Sequence, residues 1–220
     1  MSHKPVKASE QRRINEKMQQ RKKEILDDLP PFTYIISEGV KTEPNYISGF
    51  VNVINNKYRD LSSGKRIIVK GTGMNTKSLL RYARKQVQQD FPQAIVVWLM
   101  YDKDDFPYDD FDNTQFSAET RRDSRQYKVA WSNECIELWF VLHFQELFTN
   151  NGRDQYRQIL KHYFNYEKNL LNIYDLLKDN TATAIRRAKR LYALYGEQPP
   201  SQRCPATRVF EIVEELQKYL

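Results

Sequence analysis

The stretch FTYIISEGVKTEPNY, residues 32–46, combines an apolar run, an acidic turn and the start of a helix. Residues 32–37 are rich in aromatic and β-branched side chains, a composition typical of a buried strand. The run stops at Glu38 and a glycine, so the strand is expected to deliver one carboxylate to the edge of a sheet. Thr42 is predicted to cap the helix that follows, because its hydroxyl can accept a hydrogen bond from the first turn. Glu43 and a proline in that first turn suit the free amides of a helix start.

A second apolar run, residues 94–100, is followed by the acidic sequence YDKDDF. Because parallel strands present their carboxyl ends on the same edge of a sheet, we expect Asp102 and Asp104 to lie near Glu38. Carboxylates without a Cys/His cluster favour Mg²⁺ or Mn²⁺ over zinc. The sequence therefore predicts a divalent-metal site at this edge, and the alternative is an acidic loop that is only solvated.

The remaining pattern predicts an α/β fold. Residues 67–69 and 127–131 form two further strands, helices separate the strands, and the pattern is purely helical from Gly152 onward. We expect a mainly parallel sheet of about four strands flanked by helices, with a C-terminal helical extension. The expected organisation is a basic arm or tail over residues 1–29, an α/β domain over 30–150, and a helical extension over 151–220 packed on the same core.

The composition indicates a water-exposed surface and an anionic partner. The 220 residues carry a net charge of +7, and the mean hydropathy is −0.76. Lys and Arg side chains neutralise phosphates, so a nucleic-acid partner is expected. No apolar stretch approaches the ~20 residues of a membrane helix, and the N-terminus has no apolar signal core. We therefore expect a cytoplasmic protein without a membrane partner, in which Cys135 and Cys204 stay reduced.

The sequence SNECIELWFVLHF, residues 132–144, supplies two more acids. With Ser132 or Asn133 as the cap, Glu134 and Glu137 would lie three residues apart on one face of a helix. That helix would start at the same sheet edge as Glu38, so both glutamates are predicted to complete the acidic cluster. The alternative for Glu134 is a favourable interaction with the helix dipole alone. His143 lies on the neighbouring apolar stripe and is predicted to be a core residue.

Four motifs together resemble the RloB family, which is related to the AbiL component of phage abortive infection. They are SEGVKTEPNY (37–46), YDKDDF (101–106), SNECIELWFVLHF (132–144) and PATRVFEIVEEL (205–216). The family is similar to Toprim domains, in which a strand-end Glu and a DxD pair support metal-dependent phosphoryl chemistry. The resemblance implies that Glu38 is the Toprim-type Glu and that Asp102 and Asp104 are the DxD pair. It further implies a Mg²⁺- or Mn²⁺-dependent nuclease acting on DNA or RNA, tRNA included, beside an ABC-type ATPase.

Two other functions stay open from the sequence. The first is a non-catalytic adaptor that binds nucleic acid or the ATPase through the same fold. The second is a phosphatase that uses Asp102 as its nucleophile. The sequence does not specify the oligomeric state.

Overall fold

The structure is a computed structural model that describes residues 8–27, 29–61, 64–104 and 107–220. The chain divides into two compact units, Met1–Pro30 and Pro31–Leu220. In the first unit, helix α1 spans Ala8–Asp27, and its apolar side chains Ile14 and Met18 are exposed. Residues 1–7 and 28 of the predicted arm lie outside the described part of the chain.

The second unit is built on a five-stranded sheet, counted over the described residues, in the order β2-β1-β3-β4-β5. The strands are β1 Thr33–Ser37, β2 Ile67–Gly71, β3 Val96–Asp102, β4 Gln126–Asn133 and β5 Ala206–Thr207. The first four strands are parallel, whereas β5 pairs with β4 in the antiparallel sense. The predicted α/β fold with a mainly parallel sheet is confirmed. The short fifth strand was not predicted, because two residues are too few to show a period.

Helices cover both faces of this sheet. They are α2 Thr42–Lys57, α3 Thr76–Asp90, α4 Tyr108–Glu119, α5 Glu137–Val141, α6 Gly152–Tyr163, α7 Ile173–Leu177, α8 Thr181–Ala193 and α9 Val209–Gln217. Helix α2 and helices α5 to α9 contribute to one apolar core, and α3 and α4 contribute to the other. None of the helices described has the combination of length and apolar character that crossing a membrane requires.

Alternate residues of the central strands supply the two cores. Ile35, Trp98 and Met100 face the core that contains α2, whereas Ile36 and Leu99 face the core that contains α3. Side chains alternate across a strand, so a strand that is covered on both faces must be apolar at every position. This double burial is the reason that β1 and β3 appear in the sequence as continuous apolar runs.

The strand order places a crevice between β1 and β3. The connection from β1 runs outward to β2, and the next connection returns across β1 to β3, so the chain reverses direction between these two neighbours. Ligands of open α/β sheets bind at such a reversal, outside the carboxyl ends of the strands. Glu38 directly follows β1, and Asp102 is the last residue of β3. The fold thus brings these two predicted acids to one crevice.

Two local predictions are wrong. Thr42 does not cap α2, because Lys41 holds the cap position and the Thr42 hydroxyl donates to Asn169 Oδ1 at 3.1 Å. The helix expected from Ser132 or Asn133 begins only at Glu137. Strand β4 continues through both of these residues because they pair with β5. The segment that includes Glu134 is therefore a connection between strand and helix.

Candidate functional site

A cleft of about 440 Å³ lies at the carboxyl edge of the sheet. Five acids line it, namely Glu38, Glu43, Asp102, Asp104 and Glu137, together with the cations Lys41, Arg153, Arg157 and Lys168. Four of the five acids that the sequence singled out thus share one cleft. Glu43 is an addition that the sequence analysis did not assign to the site, and Glu134 is not part of the lining.

Glu38 is held by backbone hydrogen bonds to two neighbouring segments. Its N–H donates to the Met100 carbonyl at 2.8 Å, and its own carbonyl accepts from the Gly73 N–H at 2.9 Å. The Glu38 carboxylate accepts from Thr76 Oγ1 at 2.7 Å, which links it to the first residue of α3. Burial raises the pKa of Glu38 to about 7, and the nearby charge of Glu43 adds to the rise. Glu38 is thus poised near the midpoint of its titration at neutral pH.

The turn that carries Glu38 packs directly against Gly71, the last residue of β2. A Cβ at this position would lie 2.5 Å from the Val40 carbonyl oxygen and 2.8 Å from that of Gly39. Backbone atoms cannot yield as a side chain can, so only glycine permits this approach. The absence of a side chain at Gly71 therefore helps to set the position of Glu38.

We predict that Gly71→Ala displaces the Glu38 turn and lowers the free energy of unfolding by about 1–3 kcal/mol. The substitution changes no charge, so any loss of function would come from the altered position of the turn. Urea denaturation measures the stability change. A protein as stable as the wild type would show that the turn relaxes without cost.

Glu43 lies in the first turn of α2, with only 6% of its surface exposed. A Cβ at Gly39 would lie 2.0 Å from Glu43 Oε2, so the carboxylate packs against the glycine that follows Glu38. Burial raises the pKa of Glu43, the charge of Glu137 adds to the rise, and Lys168 opposes it. Its position four residues after Gly39 becomes informative only once the strand order is known, because the helix dipole alone explains a glutamate in a first turn.

Asp102 and Asp104 have different surroundings. Asp102 Oδ2 accepts a hydrogen bond from the Ile136 N–H at 3.2 Å. Burial raises the pKa of Asp102 well above its ordinary range, and the charges of Glu43 and Glu137 add to the rise. Asp104 has a positive φ of 42° and forms an ion pair with Arg153. Asp102 is thus repelled by other acids of the cleft, whereas Asp104 is paired with a cation.

Glu137 is 3% exposed and is neutralised by a cation. Its Oε1 accepts from Arg157 Nε and from the Tyr166 hydroxyl, both at 3.1 Å. Arg157 belongs to α6, and Lys168 and Asn169 of the segment after this helix also line the cleft. The helix and that segment therefore form one side of the cleft.

Glu134 lies in a neighbouring groove and not in the cleft. Its Oε1 accepts from Asn150 Nδ2 at 2.9 Å, and it does not share a helical face with Glu137, which corrects the sequence-based placement. A contribution of Glu134 to metal binding stays a prediction. His143 is 2% exposed, which confirms its predicted core position, and burial lowers its pKa to about 4.

The donor chemistry of the cleft suits a hard divalent ion, because all five acids offer oxygen ligands. Over residues 8–27, 29–61, 64–104 and 107–220, however, no three Asp, Glu, His or Cys side chains stand close enough together to hold a metal ion. Arg153 and Arg157 engage two of the acids. Binding of Mg²⁺ or Mn²⁺ would therefore require carboxylates to rotate toward a common centre.

The raised pKa of Glu38 predicts how stability depends on pH in EDTA. The native pKa of about 7 exceeds the ordinary value of 4.5, so the native state binds more protons between these values. Stability contributed by this group is present below pH ~4.5 and is lost as the pH rises through ~7. Between pH 5 and pH 8 the wild type should lose about 1–3 kcal/mol more stability than Glu38→Gln. Parallel pH profiles of the two proteins in urea denaturation would contradict this prediction.

Comparison with known proteins places the chain in one family. No curated protein and no solved structure matches it significantly. The family model described as RloB-like protein matches residues 33–216, which include every acid of the cleft. The match covers most of the chain and confirms the resemblance carried by the four sequence motifs. The chain belongs to the family of RloB-like proteins.

Proposed function

We propose that this protein is a Mg²⁺- or Mn²⁺-dependent nuclease of a prokaryotic anti-phage system that cleaves phosphodiester bonds in DNA or RNA, tRNA included. One observation carries the proposal: Glu38, Glu43 and Asp102 share a cleft at the strand reversal, and burial raises the pKa of each. Such perturbed acids cluster at functional sites. Membership in the RloB-like family fits a protein associated with phage defence.

Glu38, Glu43 and Asp102 would hold the metal in this proposal, and Asp104 and Glu137 would join if their arginine partners moved away. A divalent ion bound there would polarise the phosphodiester and stabilise the leaving oxygen. If Glu38 instead stays outside the coordination shell, its pKa of about 7 suits proton transfer at neutral pH. The proposal keeps the Toprim-like assignment, in which Glu38 is the strand-end glutamate and the DxD pair follows β3.

Three cations at the cleft have a role in the same proposal. Arg153, Arg157 and Lys168 line the cleft beside the acids. Guanidinium groups bind phosphate oxygens through paired, charge-assisted hydrogen bonds. We propose that Arg153 and Arg157 leave their carboxylate partners for the scissile phosphate when substrate and metal enter, since the ion then neutralises the acids, and that Lys168 adds a third positive charge beside them.

An ABC-type ATPase is the proposed partner. The 220 residues contain no G-x-x-x-x-G-K-[ST] sequence, so energy from ATP would have to come from another chain. The ion pairs of Arg153 with Asp104 and of Arg157 with Glu137 are features that a bound partner could rearrange.

The second candidate function is a non-catalytic adaptor. It is favoured by the two arginine–carboxylate pairs. It is also favoured by the spacing of the acids, since no three Asp, Glu, His or Cys side chains of the described residues stand close enough to hold a metal ion. An adaptor would use the same surface to bind nucleic acid or the ATPase without cleaving a bond.

The two functions are separated by a cleavage assay. Labelled DNA and tRNA are incubated with the protein, with and without Mn²⁺, and with and without the ATPase encoded nearby. We expect cleavage that requires Mn²⁺ and disappears in Asp102→Asn purified in parallel, which controls for contaminating nucleases. Nucleic-acid binding without cleavage in every condition would favour the adaptor instead.

A further inference from the structure

A second groove, of about 460 Å³, lies between α3 and α4. The wall formed by α3 carries Lys77, Arg81 and Arg84, and the wall formed by α4 carries Asp110, Asn113, Thr114 and Ser117. One wall thus offers three cations, and the other offers three uncharged hydrogen-bonding groups and one acid, Asp110, which is paired with Lys77. This combination matches a sugar–phosphate backbone, which presents anionic oxygens beside polar sugar atoms.

The cations form a row along one side of α3. Leu79, Ala83 and Val87 are buried against the sheet, whereas Lys77, Arg81, Arg84 and Lys85 are exposed at helical spacing. Lys77 contacts Asp110 at 3.2 Å. Within the described part of the chain, Arg81, Arg84 and Lys85 form no ion pair, so three like charges stand together without a neutralising partner.

Helix α8 differs, because two of its three exposed cations are paired with acids, whereas Arg186 hydrogen-bonds to Thr183. Its exposed residues Lys189 and Arg190 pair with Glu214 and Glu146, respectively. Exposed cations of this fold can thus form ion pairs with acids of the same chain. The three free cations of α3 mutually repel at that spacing, and an anionic ligand would relieve this repulsion.

The groove also begins beside the acidic cleft. Thr76, the first residue of α3, donates to Glu38, and Lys77 is the next residue along the chain. From Lys77 to Arg84 the helix advances by about 10 Å, which is roughly the rise of three nucleotides at ~3.4 Å each. A strand lying in the groove would therefore point toward the cleft.

We infer that the groove between α3 and α4 binds the backbone of a nucleic-acid strand and leads it to the acidic cleft; this inference rests on the proposed nuclease function. An acidic protein segment fits the groove less well. Among the described residues, Leu80 is the one large apolar side chain that lines it, whereas protein interfaces rely on buried aromatic and apolar anchors.

The test compares two variants that each remove three positive charges. The first is Arg81→Gln/Arg84→Gln/Lys85→Gln on α3, and the control is Arg186→Gln/Lys189→Gln/Arg190→Gln on α8. Fluorescence anisotropy measures binding of labelled single-stranded DNA, single-stranded RNA and duplex DNA in EDTA, so that cleavage plays no part. Salt titrations are run on each protein, and melting temperatures show that both variants fold.

The α3 variant is expected to bind at least one of the three probes about tenfold or more weakly, with the slope of log affinity against log salt reduced by roughly 2–3. The α8 variant should keep the wild-type slope more closely. Equal losses in both variants, unchanged binding in the α3 variant, or no salt-dependent binding by the wild type would each overturn the inference. So would loss of ATPase binding by the α3 variant with nucleic-acid binding intact.

The binding experiment and the cleavage experiment can fail independently, so they test the groove and the nuclease function separately. If the wild type never cleaves but the α3 variant loses binding, the nuclease proposal fails and the groove assignment stands. If cleavage depends on Asp102 while the α3 variant binds normally, the nuclease proposal stands and the groove assignment fails.

Discussion

Asp102→Asn is expected to lower Mn²⁺-dependent cleavage by about 10²-fold or more and to raise the melting temperature of the protein in EDTA. The substitution keeps the shape of the side chain and an oxygen that can accept the hydrogen bond from Ile136. It removes a carboxyl group whose ionised form is repelled by Glu43 and Glu137. Activity and stability should therefore change in opposite directions.

The physical reason is that an ionised carboxylate at this position lowers the free energy of unfolding of the metal-free protein. Burial disfavours the ionised form of Asp102, and the neighbouring acids disfavour it further. Neutral asparagine avoids both effects. A divalent ion would offset the same repulsion in the wild type, so added Mn²⁺ should raise the melting temperature of the wild type more than that of the variant.

Asp90→Asn, at the C-terminal end of α3, is the matched control. Asp90 accepts from Lys70 at 2.7 Å and from the Tyr34 hydroxyl at 3.0 Å, and hydrogen bonding to Lys70 lowers its pKa. Removing this charge should cost about 0.2–1 kcal/mol of stability and leave cleavage unchanged. An Asp102→Asn protein that is less stable than the wild type yet fully active would show that Asp102 serves only the fold.

The sequence was informative for strands that are buried on both faces of the sheet, because such strands are apolar at consecutive positions. Strands β1 and β3 are apolar at nearly every position because helices cover both sides, so their carboxyl ends, and with them Glu38 and Asp102, could be located directly. The helical stripe of α3 was equally clear, since Leu79, Ala83 and Val87 repeat at the spacing of one buried face.

The parts of the site that depend on long-range pairing could not be predicted. Strand β5 lies about seventy residues after β4, and its pairing with Ser132 and Asn133 keeps those residues extended. A local capping pattern cannot show that a distant segment will compete for the same backbone groups. The result is that Glu137 enters the cleft and Glu134 does not.

Glu43 was missed for a different reason. An acid in the first turn of a helix is adequately explained by the helix dipole, so nothing local marks it as part of a site. Its burial depends on the absence of a side chain at Gly39 and on the approach of α5, which carries Glu137. Sequence reasoning can identify such a residue only after the strand order is known.

The structure places Glu43 inside the cleft and Glu134 outside it. Glu43→Gln and Glu134→Gln test these two placements against each other. Glu43→Gln is expected to lower cleavage by about 10²-fold or more and to raise the melting temperature in EDTA, because the lost charge is buried among acids. Glu134→Gln should stay close to wild-type activity, since its carboxylate lies outside the cleft and only accepts a hydrogen bond from Asn150.

Both variants make the same isosteric change and remove the same charge, so each is the control for the other. Measuring cleavage and Mn²⁺ binding on the pair separates a role in the site from a general effect of charge. An inactive Glu134→Gln beside an active Glu43→Gln would restore the placement expected from the sequence, with the segment after β4 folding toward the metal. The opposite result would assign the third buried carboxylate of the site to α2, because the first turn of that helix returns to the crevice directly after Glu38.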